Sequence, residues 1–173
     1  MPRYDIPKAA PEPLRGVQLF VNSVDLSHDR EWIGDWLSQE GVPPTTTAVR
    51  RAQEVREAIR ELLYENNRQP GAADPYPVLE AAADAARLSV DFRRGELVAR
   101  APGVDGAVGR VLAVVYAAIR DGSFARLKAC RNHDCRWAFY DYSKNRSASW
   151  CSMQLCGNRT KTRAYRRRHA AEA

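Results

Sequence analysis

Four cysteines carry the clearest chemistry in this chain. Cys130, Cys135, Cys151 and Cys156 form two C-x4-C pairs separated by fifteen residues. A pair at this spacing can turn both thiolates toward one ion, and two pairs supply the four sulfurs of a tetrahedral zinc site, with Zn–S about 2.3 Å. Four thiolates fill the coordination shell and leave no position for water or substrate, so the expected cofactor is one structural zinc ion per chain. His133 lies inside the first pair but is surplus to a complete ligand set. The H-x-E…P-C-x-x-C and H-E-x-x-H patterns of catalytic zinc sites are both absent.

The rest of the chain offers no catalytic alternative. Asp25, His28 and Asp29 read as helix-capping residues, and Asn22 as a hydrogen-bonded amide among apolar neighbours. Paired carboxylates, a phosphate-cradling glycine loop and a nucleophile–base spacing are all missing, so the chain is not expected to be an enzyme.

The elements that must position the cysteines follow from their flanks. Cys130 to Cys135 reads as a knuckle turn, and Arg136 to Asp141 as a strand leaving it. Cys156-Gly157 opens a helix running to about His169, which sets the last pair at a helix N-terminus, where the dipole favours thiolates. Knuckle, hairpin and ligand-bearing helix together make a treble-clef-like finger. Residues 126–169 are too few to fold on an apolar core alone, and a metal supplies what that core lacks. Chelation is therefore expected to unfold this segment and spare the rest. Tyr140, Tyr142 and Trp150 read as a cover over the metal rather than as base-stacking groups.

Charge divides the chain in the same place. Of 27 basic and 21 acidic residues, twelve and two fall in 126–169, leaving 15 and 19 for the remainder. A strongly basic end is thus joined to a mildly acidic body, and only one end attracts a polyanion. On the last helix Arg159, Arg163, Arg166 and Arg167 share one face, within an arc of about 100°, with Lys161 and Arg168 roughly opposite. Arginine suits phosphate forks and guanine edges. Lys144 and Arg146 precede the second cysteine pair and extend the basic surface, whereas Arg56 and Arg60 read as surface arginines of the body.

The body is mainly helical. Val17 to Leu37 has helical spacing with a break near Ser27-His28-Asp29, and Thr45-Thr46-Thr47 caps the longest helix, which stops around Asn66-Asn67. Val78 to Arg87 reads as a further helix, Leu88 to Phe92 and Leu97 to Ala99 as a hairpin, and Val108 to Ile119 as a buried helix closed by Asp121-Gly122-Ser123. Residues 1–15, with four prolines and no apolar stretch, read as an extended arm rather than a secretory signal. The resulting division is arm 1–15, helical domain 16–122 and finger 123–173. No run approaches the roughly 20 apolar residues that span a bilayer, so no membrane partner and a cytoplasmic location are expected.

The stretch from Cys130 through Cys135-Arg136-Trp137, Ser143-Lys144-Asn145-Arg146 and Trp150-Cys151-Ser152-Met153 to Cys156-Gly157-Asn158-Arg159 resembles the CGNR zinc finger. Ala148-Ser149 stands where that family usually has a basic pair. Leu19-Phe20-Val21-Asn22-Ser23 and Trp36-Leu37 are similar to the ABATE domain that precedes this finger in bacterial proteins. The resemblance implies a stress-related transcription regulator whose finger binds DNA, and the charge and helix geometry above point to Lys144, Arg146, Arg159, Lys161, Arg163, Arg166 and Arg167 as the contacts. It leaves the body to sense a small-molecule effector or to form a homodimer. The other reading of the same features is an RNA-binding or protein-interaction zinc module.

Overall fold

Helix α1, Leu14–Val21, sets the first layer of the core by burying Leu14, Val17, Phe20 and Val21 along one stripe. The structure, a computed structural model, describes residues 8–163. After α1 the chain makes a short hairpin, β1 Val24–Asp25 and β2 Arg30–Glu31, and then α2, Ile33–Gln39. Helix α3, Thr46–Asn66, starts where the threonine run predicts, because the Thr45 hydroxyl accepts from the Ala48 N–H at 3.2 Å. Helix α4 is Tyr76–Ala85, and the hairpin β3 Ser89–Asp91 and β4 Glu96–Val98 pairs Val90 with Leu97 at its centre. Helix α5, Gly103–Asp121, ends at Gly122, whose φ of 78° supplies the left-handed cap. Gly109 lets α5 close on its neighbours: a Cβ there would lie 2.5 Å from that of Ala86 and 2.8 Å from that of Ala99.

Two expectations need correcting. The Ser27-His28-Asp29 run does not cap a helix. Asp25 accepts from the Ser27 N–H at 2.9 Å and contacts His28 Nδ1 at 2.8 Å, and this local turn closes the β1–β2 hairpin. Asp29 takes the left-handed φ of 50° that the reversal needs. The second correction concerns Arg56 and Arg60, which are 4% and 1% exposed and not on the surface. Arg56 pairs with Glu31 at 2.6 Å, while Arg60 pairs with Glu57 at 2.9 Å and donates to the Val21 carbonyl at 2.6 Å.

The cysteine-bearing segment is not a separate appendage. Strands β5, Leu127–Ala129, and β6, Ala138–Tyr140, pair antiparallel, and Leu127, Ala129, Ala138 and Tyr140 share one apolar core with α1, α3 and α5. Body amides satisfy the backbone of this hairpin. Asn22 donates to the Ala138 carbonyl at 3.0 Å and accepts from its N–H at 2.7 Å. Asn67 donates to the carbonyls of Ala129 and Ser149, and Asn66 to those of Phe124 and Leu127. The described part of the proline-rich arm is pinned as well: the Lys8 carbonyl accepts from Tyr140 N–H at 2.9 Å, and the Lys8 ammonium donates to the Trp150 carbonyl at 2.8 Å.

Candidate metal centre

The β5–β6 hairpin delivers the first cysteine pair. Cys130 N–H donates to the Trp137 carbonyl at 2.8 Å, and the knuckle between closes with Cys135 N–H donating to the Asn132 carbonyl at 2.9 Å. Of the second pair, Cys151 precedes and Cys156 lies within a wide π-type turn, Met153–Gly157, where the Ser152 carbonyl accepts from both Cys156 and Gly157. A helix follows at residues 158–163, so Cys156 stands at a helix N-terminus as the sequence predicts.

All four sulfurs lie within 4.8 Å of one another. Cys135 and Cys151 sulfurs are 3.6 Å apart, and those of Cys151 and Cys156 3.7 Å. The edge of a tetrahedron with Zn–S bonds of about 2.3 Å is about 3.8 Å, whereas a disulfide is about 2.05 Å. The donor set therefore fits a tetrathiolate zinc ion. Hydrogen bonds from Cys135 and then Cys151 favour the Cys130 thiolate, and that thiolate in turn pushes the Cys135 and Cys151 thiols up. A divalent cation reverses this competition and lets all four ionise. Asn132 Nδ2 points at the Cys156 sulfur at 3.7 Å, an outer contact of the kind that orients ligands. His133 is exposed and outside the cluster.

Phe139, Trp137 and Trp150 pack around the sulfurs in a small satellite core. Of the three aromatics expected to cover the metal, only Trp150 does so. Tyr140 enters the main core, and Tyr142 is 64% exposed, its hydroxyl donating to the Ala9 carbonyl.

The described cations of the finger fall into two sets. Arg126, Lys128, Arg131 and Arg136 are tied into the structure. Lys128, buried, pairs with buried Asp141 at 2.7 Å and donates to the carbonyls of Arg146 and Ala148, which holds the 141–148 loop. Burial works to raise the Asp141 pKa, but the hydrogen bonds from Lys128 and Ser143, with the Lys128 charge, together outweigh it and bring the group down to about 2. Arg126 donates to the carbonyls of Asp141 and Ser143, and Arg131 to that of Asn67. Arg136 donates to the Tyr64 hydroxyl and lies over that ring, with Glu61 3.7 Å away. Arg60 reaches across to the Arg136 carbonyl at 2.7 Å.

The second set is exposed: Lys144, Arg146, Arg159, Lys161 and Arg163. Arg163 pairs with Asp134 of the knuckle at 2.6 Å, an ion pair exposed on both sides. Arg166 and Arg167 lie outside the described residues, so the four-arginine face is seen only at Arg159 and Arg163. Sequence reasoning missed the boundary residues Arg60, Tyr64 and Asn67. A signal was present for the first: Arg56 and Arg60 fall in and beside the apolar stripe of α3 made by Ala52, Val55, Ile59 and Leu63.

Two family models match the chain. Residues 126–169 match the CGNR zinc finger. Residues 17–122 match ABATE, whose description is "Putative stress-induced transcription regulator". No curated protein matches.

Proposed function

The chain belongs to the ABATE family and carries a CGNR zinc finger, and on that premise we propose that it is a DNA-binding transcription regulator whose finger is held by one zinc ion. Cys130, Cys135, Cys151 and Cys156 would hold the ion, which supplies rigidity rather than reactivity. The observation that carries the reading is the exposed set Lys144, Arg146, Arg159, Lys161 and Arg163, presented on the loop and helix adjoining the metal cluster. Fixed in advance, these side chains can meet phosphates without a large ordering cost. The body performs no catalytic step in this reading; it senses an effector or pairs with another copy.

Binding of labelled duplex DNA across a salt series tests this. If about four to six phosphates are neutralised, log affinity falls with log salt at a slope of roughly −4 to −5. Arg159→Ala with Lys161→Ala flattens the slope by about two units and leaves zinc content unchanged. Arg50, whose side chain is 76% exposed on α3, is the control arginine, in place of buried Arg56 and Arg60. Absence of salt-dependent duplex binding, or a preference for single-stranded RNA, would reject the DNA reading.

A further inference from the structure

The outer side of the body carries a groove and a knob that suit each other. The groove, about 760 Å³, runs between the β3–β4 hairpin and α5, with Val90, Leu97, Val114, Tyr116 and Ala117 in its lining. Val90 and Tyr116 are 50% and 51% exposed, a wide apolar surface for two aliphatic and aromatic side chains to leave in water. At the tip of the same hairpin stands Phe92, 91% exposed. The tip is ordered in advance: Asp91 accepts from the N–H groups of Arg93 and Arg94, and Gly95 takes a φ of 67°. Phe92 is therefore held out into solvent by a built turn.

Charge points the same way. Arg93, beside the knob, has no carboxylate partner among the described residues, and Arg94 reaches only Asp91, at 4.0 Å. Glu96 and Asp121, at the groove, have no cation partner among the described residues, and with Arg120 also in the lining the groove keeps a net negative charge. Cationic knob and anionic groove on one chain form a self-complementary surface, which a two-fold axis satisfies twice at once.

We propose that two copies of this chain pair through this face, Phe92 of each entering the groove of the other and Arg93 approaching Asp121 across the axis. This rests on the regulator reading only in identifying the body's role as pairing. Each phenylalanine removes about 150–250 Å² from water, and Val90 and Tyr116 add to it on both sides, toward the roughly 1,000 Å² that a specific interface needs.

Sedimentation equilibrium of the zinc-loaded full chain over a range of concentrations tests the pairing. Wild type is expected to be a dimer. Phe92→Asp, at an exposed tip, and Ala117→Trp, which fills the groove from the other side, should each weaken it at least about tenfold, with helical circular dichroism and zinc content unchanged. Arg93→Asp and Asp121→Arg should weaken it singly and restore it together. A wild-type monomer at every concentration, including one whose groove takes an apolar small molecule, overturns the proposal. So do dimers that persist in both Phe92→Asp and Ala117→Trp. The DNA reading is scored apart from this, because a monomeric variant keeps its per-chain salt slope if the finger binds DNA and lacks one if it does not.

Discussion

Buried charges at the boundary between body and finger decide how much of the basic surplus reaches solvent. Lys128 and Asp141 form the clearest case, with exposures of 4% and 0%. Removing one partner strands the other, so Asp141→Ala should cost about 3–5 kcal/mol in denaturant unfolding, and Asp141→Asn less. The pH dependence follows from the sign of the shift. The Asp141 pKa falls from 3.8 to about 2 on folding, so its contribution is complete above about pH 4 and is lost as pH drops toward 2. Arg60→Ala should cost about 2–4 kcal/mol, because it leaves the Val21 and Arg136 carbonyls unpaired in the interior, while Arg50→Ala stays near neutral. Asp134→Asn releases Arg163 from an exposed pair worth at most about 1 kcal/mol and should raise duplex affinity by about two- to fivefold. The four cysteines were legible because ligand spacing is a property of the chain alone. Which arginines are buried was not, since one carbonyl that Arg60 meets, that of Arg136, arrives from 76 residues away.

At the scale of elements, the β5–β6 hairpin belongs to two structures at once. Its strands complete the core of α1, α3 and α5, and its turn supplies two metal ligands. Chelation should therefore not release residues 126–169 as a unit. Hydrogen exchange is expected to lose protection at 130–137 and 150–163, to keep part of it in β5, and to show a lowered melting temperature for the whole chain. Uniform collapse of 126–169 beside an undisturbed body would contradict the shared core. Element ends marked by local chemistry were readable, as at the Thr45 cap and the Gly122 reversal. The β1–β2 hairpin was not: its two-residue strands give no periodicity, and the Asp25 turn that closes it looks in sequence like a helix cap.

At the scale of the molecule, a weakly acidic body adjoins a surface of exposed cations beside the cysteine cluster and carries the apolar groove and knob through which we propose that two copies pair. In the proposed function the metal matters because the second ligand pair leads directly into the helix bearing Arg159, Lys161 and Arg163. Duplex DNA affinity should then track zinc. The most direct measurement follows DNA binding and bound zinc together, in the same sample, as a chelator removes the metal and added zinc returns it. The account predicts one zinc per chain, salt-dependent binding lost in proportion to zinc removed, and recovery of both when zinc is restored. Metal-free protein that binds duplex DNA with the same affinity and salt slope would contradict it.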